Sequence, residues 1–320
     1  MVKCEGGGLS VVKWLYMKKS IIVLVILLLA GFGVYYFTKG GDVKKPVENN
    51  PVVEETPVVP AETEVKDDQK NAPEVSIGKS VDGNDIKAYR FGTGEKEILF
   101  IAGIHGGYAW NTVLLAQQMM DYLKKNATAV PSNVKVTIIP VLNPDGLKKT
   151  VGTTGTFTQS NVPTDTAKTV AGRFNSNEVD LNRNFDCDWQ DSGVWQNKKV
   201  SGGSSAFSEP ETLALKNYID TNNPTAVVAF YSAAGGVFAS SCHNGVSTET
   251  NSILKKYADA SGYKAYADFD FYEITGDMVN WLAKKNVPAI SVLLTNHTDT
   301  DWTKNLAGLK ALIDYYSKSE

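Results

Sequence analysis

Four short apolar runs place the strongest constraint on the fold, because each is too hydrophobic to leave either face of a strand in water. They cover residues 97–104, 134–141, 226–231 and 289–294. Strands buried on both faces are typical of parallel sheets packed between helices. Segments with a helical period separate or follow them, at 111–126, 208–220, 248–261, 277–286 and 302–317. The alternation predicts an α/β domain with a largely parallel sheet.

A polar motif follows each of these four runs. The motifs are HGGY, NPDG, SAAGG and TNH, in chain order. In open α/β sheets the ligand crevice lies at the carboxyl ends of the strands. Glycine and asparagine also serve simply to make turns, but His105 in the first motif is a residue type that binds metals. The four motifs together predict a functional site at this edge of the sheet.

Residues 21–37 form an uncharged apolar run of 17 residues that follows two lysines. This length is at the lower limit for crossing a bilayer, and the lysines favour a cytoplasmic N-terminus. A cleaved signal peptide is the alternative, although the run is longer than a usual signal core and no A-x-A site follows. We therefore expect a transmembrane anchor at 21–37, a cytoplasmic segment at 1–20 and an extracytoplasmic remainder. Translation from Met1 or from Met17 fits this arrangement.

Residues 38–73 have the composition of a disordered linker. Proline, glutamate, valine and threonine dominate, and aromatic residues are absent. Such a segment cannot bury enough apolar surface to offset its chain entropy. The remaining residues, 74–320, are expected to form a single domain that is large enough for a substantial hydrophobic core. The chain is 42% hydrophobic and 21% charged, with a net charge of −3, so nothing in its charge favours a nucleic acid as partner.

Five motifs follow one another through this domain in a specific order. They are GIHGGYAWNT (103–112), NPDG (143–146), GRFNSNEVDLNRNF (172–185), SEPET (208–212) and YEITGDMVNWL (272–282). Together they resemble the zinc carboxypeptidase family, most closely the bacterial members that act on peptides or cell-wall stems. The resemblance implies a single α/β domain with a twisted, mixed, mostly parallel sheet flanked by helices. It also implies a metallocarboxypeptidase, a hydrolase in which two histidines and a glutamate hold zinc and a second glutamate activates the zinc-bound water.

At the metal and catalytic positions the chain departs from the family. His105 matches the first zinc ligand, whereas Ala109 stands at the glutamate ligand and Tyr231 at the second histidine. The catalytic glutamate falls at Leu293 or Leu294, so the resemblance matches no catalytic residue. Zinc is the cofactor that the family implies, but these substitutions predict a degenerate site that binds it weakly or not at all.

The substrate-binding positions are retained. Asn182 and Arg183 match the family's pair that grips the terminal carboxylate of a peptide. Arg173 matches a second arginine of such sites, and Tyr272 matches the mobile tyrosine that closes over the substrate. The implied partner is therefore the C-terminus of a peptide or of a peptidoglycan stem, bound by a monomer.

Three interpretations remain open. In the favoured one, a membrane-tethered domain recognises peptide C-termini without cleaving them. In the second, the protein is a working carboxypeptidase whose zinc is relocated to His105, His243 and His297, or an altered sequence whose natural parent has glutamate at position 109. In the third, the domain is a non-catalytic wall-binding or scaffolding module.

Two further features lie close to these motifs. Cys187 and Cys242 each follow a site motif, and in an oxidising compartment we expect them to form a disulfide. Ser208 and Glu211 have the spacing of a capping box at the start of a helix. We then expect Glu209 and Glu211 to cap the helix or to lie on the surface, so that neither acid needs a catalytic role.

Overall fold

The structure is a computed structural model that describes residues 72–319. The expected cytoplasmic segment (1–20), the transmembrane anchor (21–37) and nearly all of the linker (38–73) lie outside the described residues. Among the residues that are described, no helix is both long enough and apolar enough to cross a membrane. The anchor therefore stays a prediction from the sequence.

An eight-stranded mixed sheet forms the centre of the described domain, and two further strands form a separate hairpin. The strands are β1 (Glu74–Lys79), β2 (Asp85–Phe91), β3 (Lys96–Ile101), β4 (Val134–Ile139), β5 (Ser192–Trp195), β6 (Lys198–Ser201), β7 (Ala226–Ser232), β8 (Gly236–Ala239), β9 (Lys264–Tyr266) and β10 (Ala289–Leu294). The order in the large sheet is β1-β2-β4-β3-β7-β10-β8-β9, and its central strands β4, β3, β7 and β10 are parallel. The mixed, mostly parallel sheet expected from the sequence is confirmed.

Helices cover both faces of this sheet. Within residues 72–319 they are α1 (Trp110–Lys125), α2 (Pro144–Val151), α3 (Thr166–Ala171), α4 (Pro210–Asn222), α5 (Thr248–Ser261), α6 (Met278–Lys284) and α7 (Trp302–Lys318). Helices α1, α5 and α7 pack on one face, and α4 and α6 pack on the other. The four strands and five helices predicted from the apolar pattern are all present, with ends that differ by up to three residues.

Alternation along the central strands divides the core into two layers. Successive side chains of a strand point to opposite faces of its sheet. Phe230 and Leu294 accordingly pack in the layer with α1, α5 and α7. Tyr231 and Leu293, one position away in each strand, pack in the layer with α4 and α6. A difference of one residue therefore decides which side chains reach the candidate site.

The apolar pattern did not predict β1, β2, β8, β9 or the hairpin of β5 and β6. Strands β1 and β9 are the sheet edges, and they, β2 and the hairpin are partly exposed and carry no continuous apolar run, whereas β8 is buried but only four residues long. In the hairpin, Gln196 and Asn197 both have positive φ, at 48° and 60°. A type I′ turn requires such angles and usually signals itself by glycine, which is missing here.

The capping box expected from Ser208 and Glu211 is wrong. Helix α4 begins directly after Glu209, and no side chain of the described residues caps it. Glu211 is fully buried and accepts hydrogen bonds from the backbone N–H of Val81 and from Asn175 Nδ2. Glu209 is also buried and accepts from Asn175 Nδ2 at 2.7 Å. Both acids tie α4 to neighbouring segments, so surface exposure does not account for them.

Candidate functional site

A cavity of about 1280 Å³ opens at the carboxyl ends of the central strands. The ends of β7 and β10 supply Tyr231 and Leu293, and the turn after β3 supplies His105. Trp195 comes from the β5–β6 hairpin, and Tyr272 comes from the segment that precedes α6. The cavity lies at the edge of the sheet where the polar motifs predict a site, and residues of three of the four motifs line it.

The NPDG motif is the exception, because its polar side chains make hydrogen bonds within the protein and do not line the cavity. Asn143 caps α2 by accepting a hydrogen bond from the backbone N–H of Gly146 at 2.8 Å. Asp145 accepts from Asn84 Nδ2 at 2.7 Å and from the backbone N–H of Asp82 at 3.0 Å. This motif therefore caps α2 and ties it to the turn between β1 and β2.

His105 is buried in the turn between β3 and a short 3-10 helix. Its Nε2 lies 3.5 Å from Asp180 Oδ1, and neither ring nitrogen makes a hydrogen bond within the described part of the chain. Burial and the nearby charge of Arg173 lower the pKa of His105 to about 4. The ring is therefore neutral at pH 7, so its approach to Asp180 is not an ion pair.

Arg173 supplies the positive charge that Asp180 needs. Arg173 Nε and Nη2 each lie 2.9 Å from Asp180 Oδ2, and both side chains are buried. The guanidinium carbon lies 4.4 Å from the ring centroid of Trp195 and 5.5 Å from that of Tyr108. Although burial opposes ionisation, the Arg173 charge holds the pKa of Asp180 well below its usual range. Arg173 thus lines the cavity while paired with Asp180.

Tyr231, which the sequence resemblance aligns with the family's second histidine, belongs to a chain of hydrogen bonds. Its hydroxyl donates to Asn182 Oδ1 at 3.1 Å, and Asn182 Nδ2 donates to Asp277 Oδ2 at 3.0 Å. Asp277 also accepts from the backbone N–H of Asn280, in the first turn of α6. Burial raises the pKa of the Tyr231 hydroxyl well above its usual range, so the phenol stays protonated. It acts as a donor that positions Asn182.

Arg183 is only 3% exposed but lines the cavity. Its Nη1 donates to Thr275 O at 3.4 Å, and its Nη2 donates to Val194 O at 3.3 Å and to Glu273 O at 3.4 Å. No carboxylate among residues 72–319 lies within 4.0 Å of this guanidinium. The Tyr272 ring centroid is 5.8 Å from its central carbon. Within the described domain, the buried Arg183 guanidinium therefore donates only to carbonyl oxygens, and these hydrogen bonds are long.

Gly276 fixes the segment that carries Arg183. Its φ is +63°, and a Cβ at this position would lie 2.2 Å from Arg183 O. The Gly276 N–H donates to Cys187 O at 2.8 Å, and its carbonyl accepts from the Phe185 N–H at 3.0 Å. Only glycine fits there, because both the backbone angle and the close approach exclude a side chain. The pairing holds the Arg183 segment against the segment that carries Tyr272.

The tertiary structure distinguishes the two leucines at the family's catalytic position. Leu293 lines the cavity, whereas Leu294 is fully buried on the opposite face of the sheet. Ala109 is buried in the 3-10 helix after His105 and presents only a methyl group. None of these three side chains can coordinate a metal or accept a proton.

The residues around His105 do not fit the zinc ion that the family implies. Protein zinc sites use three or four nitrogen, sulfur or oxygen ligands. Within residues 72–319, the only group of three or more His, Cys, Asp or Glu with ligand atoms within 4.8 Å of one another is Cys187, Cys242 and His243. His105 is not part of it. We therefore derive no chemical step through zinc at this position.

The three histidines of the chain do not assemble into a relocated zinc site. His297 lines the cavity with His105, and its ring centroid lies 4.7 Å from that of Tyr108. His243 does not line the cavity, and its Nε2 lies 2.8 Å from Asp188 Oδ1. The second interpretation, which needs all three imidazoles around one ion, thus finds no support in the described domain.

The disulfide predicted between Cys187 and Cys242 is confirmed. Their Cα atoms are 6.2 Å apart, and 55 residues separate them in sequence. The bond joins the segment that follows Arg183 to the loop after β8, where Ser241 lines the cavity. The two covalently linked segments therefore border the same site.

Sequence reasoning missed Asp180, Trp195 and Asp277 as parts of the site. Asp180 and Asp277 stand inside the motifs VDLNRNF and TGDM, so a signal was present, but their neighbours were taken as the functional residues. Trp195 gave no signal, because its hairpin has neither an apolar run nor a glycine turn. Its position over Arg173 is a product of the fold.

The fold and the site define a peptidase-like α/β domain with an arginine-containing cavity at the carboxyl ends of its parallel strands. Residues 64–301 match the zinc carboxypeptidase family, peptidase M14. The chain belongs to this family.

Individual relatives are distant and are matched only in part. The chain is 28% identical to bacteriocin BCN5 of Clostridium perfringens over 152 residues, 47% of this chain and 15% of the relative. It is 27% identical to a zinc carboxypeptidase of Simulium vittatum over 165 residues, 49% of this chain and 52% of the relative. Each match spans less than two thirds of the curated relative. The murein-tripeptide amidase MpaA from Escherichia coli O157 shares the fold, with a TM-score of 0.54 and 20% identity, over 75% of this chain and 91% of that one.

Proposed function

We propose that this chain is a membrane-tethered, extracytoplasmic domain that binds the C-terminus of a peptide and does not hydrolyse it. The proposal rests on the environment of the Arg183 side chain. Its guanidinium is buried at the cavity, and its hydrogen bonds to carbonyl oxygens are 3.3–3.4 Å long. A peptide carboxylate would give it shorter, charge-assisted and potentially bidentate hydrogen bonds, which a guanidinium favours.

The absence of hydrolysis is supported by the side chains at the metal and catalytic positions. Ala109 offers no ligand atom, the Tyr231 hydroxyl is engaged within the protein, and Leu293 leaves no base. A zinc ion held by one imidazole would have water in its other positions and would bind weakly. Relocation is not supported either, since His243 pairs with Asp188 away from the cavity.

The proposed tether rests on the sequence of residues 21–37 and 38–73. An uncharged apolar segment of this length and a proline- and glutamate-rich linker suit a domain displayed at a membrane surface. The Cys187–Cys242 disulfide supports an extracytoplasmic location, because such bonds persist in oxidising compartments.

The cavity rim favours a ligand that carries a positive charge near its carboxylate. Asp268, Asp270 and Glu273 are exposed at the opening, whereas the cation Arg183 is buried inside it. A C-terminal residue with an amine-bearing side chain would place opposite charges against both groups. Peptidoglycan stem peptides are one source of such termini, and the fold shared with a murein-tripeptide amidase is consistent with this choice.

Arg183→Ala is expected to weaken binding of a short peptide with a free C-terminus by roughly 10- to 100-fold, since a lost hydrogen bond to a charged group costs about 1.5–3 kcal/mol. Binding of the same peptide as a C-terminal amide should change little. Isothermal titration of the full chain with both peptides measures the difference.

Lys199→Ala is the matched control for the Arg183 experiment. It removes the same charge from the cavity lining, but the Lys199 side chain is exposed. This variant should bind the free-acid peptide nearly as the unaltered chain does, because exposed charges are screened by solvent. Equal losses for acid and amide in Arg183→Ala would contradict the proposal and favour a scaffolding module.

The acidic rim is tested with two peptides that differ only in a C-terminal lysine or norleucine. The lysine peptide is expected to bind about 2- to 5-fold more tightly, because each exposed charge pair contributes about 0.2–1 kcal/mol. The preference should shrink at high salt and disappear in a variant with Asp268→Asn, Asp270→Asn and Glu273→Gln. A preference that survives all three substitutions would rule out the rim as its origin.

A further inference from the structure

Four side chains with metal-binding atoms meet outside the cavity, between the segment after Arg183 and the loop after β8. Cys187, Cys242 and His243 each place one ligand atom within 4.8 Å of the others. Asp188 adds a carboxylate, whose Oδ1 lies 2.8 Å from His243 Nε2 and whose Oδ2 lies 3.8 Å from Cys187 Sγ. We refer to Cys187, Asp188, Cys242 and His243 as the thiol cluster.

The donor atoms of the thiol cluster are those that zinc prefers. Two thiolates, one imidazole and one carboxylate make a complete set of four ligands. Around a tetrahedral zinc with Zn–S bonds of about 2.3 Å, two sulfur atoms lie about 3.8 Å apart. The Cα atoms of Cys187 and Cys242 are 6.2 Å apart, so rotation of the two side chains is enough to reach that spacing once the S–S bond is broken.

The thiol cluster has a buried half and an exposed half, and the exposed half would let an ion enter from solvent. Cys187 and Cys242 are buried, whereas the side chains of His243 and Asp188 are 73% and 52% exposed. The sulfur atoms are thus shielded from bulk water, while the imidazole and the carboxylate can reorient around an arriving cation.

We propose that the Cys187–Cys242 disulfide is one state of a redox-dependent zinc site formed by the thiol cluster. A dithiol reductant breaks the S–S bond by exchange, its two thiol protons pass to the cysteines, and it leaves as its own disulfide. Zinc then forms two Zn–S bonds, and the two cysteine protons are released to solvent. The disulfide and the metal are alternative links between the same two segments.

This zinc site is separate from the family's catalytic zinc. No residue of the thiol cluster lines the cavity, and His105 is not a member of it. The two segments it joins nevertheless border the site, since the Cys187 carbonyl accepts from Gly276, which packs against Arg183. The proposal does not depend on what the cavity binds.

The test uses the full chain in three states: oxidised, reduced with dithiothreitol and freed of it anaerobically, and reoxidised. With Co²⁺ as the probe, the reduced protein is expected to take up one equivalent and to show a thiolate-to-cobalt charge-transfer band, which added Zn²⁺ abolishes. The oxidised and reoxidised proteins should show neither. His243→Ala, which changes an exposed side chain, should weaken Co²⁺ binding at least 10-fold, and Cys187→Ser together with Cys242→Ser should remove the charge-transfer band.

Two control variants distinguish cobalt binding at the thiol cluster from cobalt binding by other residues of the chain. His105→Ala should leave the cobalt signal unchanged, and so should Cys4→Ser, which removes the one cysteine outside the described residues. A reduced protein without a thiolate-to-cobalt band would overturn the proposal. So would metal uptake that His105→Ala abolishes and His243→Ala leaves intact.

Discussion

The full chain, with its disulfide intact, is expected to carry no zinc at His105 and to release no C-terminal residue from a peptide. Ala109→Glu together with Tyr231→His supplies the two missing ligand types and should bring bound zinc to about one equivalent. Adding Leu293→Glu supplies the base and should produce turnover. The gain should be large, because losing catalytic groups that act as a unit costs about 10⁶-fold in kcat. Elemental analysis and release of the free amino acid measure the two steps.

Leu294→Glu is the matched control for Leu293→Glu in the same double-variant background. The Leu294 side chain is fully buried on the face of the sheet opposite the cavity, so a carboxylate there would be desolvated without a partner. This variant should lose stability and gain no turnover. Turnover by the unaltered chain that His105→Ala abolishes would contradict the proposal of a non-hydrolysing domain.

Asp180→Asn is expected to lower the free energy of unfolding by about 3–5 kcal/mol, because it leaves the buried Arg173 guanidinium without its counterion. Asparagine keeps the shape of the side chain and its capacity to accept a hydrogen bond from the Asn182 N–H. The change in the free energy of unfolding therefore reflects the loss of the negative charge. Urea unfolding measures it. Asp85→Asn removes an exposed partner of Lys79 and should change stability little. Equal effects of the two substitutions would show that burial of the pair is unimportant.

The same unfolding experiments across pH test the state of His105. Burial, together with the Arg173 charge, lowers the pKa of His105 from 6.5 to about 4. Between these values the unfolded chain binds a proton that the folded chain does not, so stability should fall as the pH drops from about 6.5 to 4. The pKa of Asp180, lowered from 3.8, extends the loss to more acidic pH. His105→Gln should flatten the upper part of this profile, and an unchanged slope would show that His105 is not its source.

Much of the fold could be predicted because its signals are local. The four apolar runs and the helical periods depend on residues close in sequence, and they place the parallel strands and five of the seven described helices correctly. The edge strands escaped prediction because partial exposure removes the apolar run that marks a buried strand. The capping box failed for a related reason, since Glu211 is engaged by Val81 and Asn175, which lie far from it in sequence.

The candidate site was predicted less completely than the fold. The order of the motifs predicted which family positions are retained and which are substituted, and Arg173, Asn182, Arg183 and Tyr272 all line the cavity. The partner of each side chain was not predictable, because hydrogen bonds form between residues that the fold brings together. Asn182, for example, lines the cavity, and nothing in the sequence indicated its hydrogen bonds to Tyr231 and Asp277.

The sequence by itself determined the α/β class and the family, and it predicted the paired cysteines and the substitutions at the family's metal-ligand positions, since each depends on residue types and their order. Only the tertiary structure decided that Leu293 faces the cavity while Leu294 does not, because a register shift of one residue reverses the face of a strand. It likewise decided that Arg173 is bound to Asp180 while Arg183 has no carboxylate partner in the described domain. Which charges pair depends on distances of a few ångströms between segments, and those distances are set by packing rather than by position along the chain.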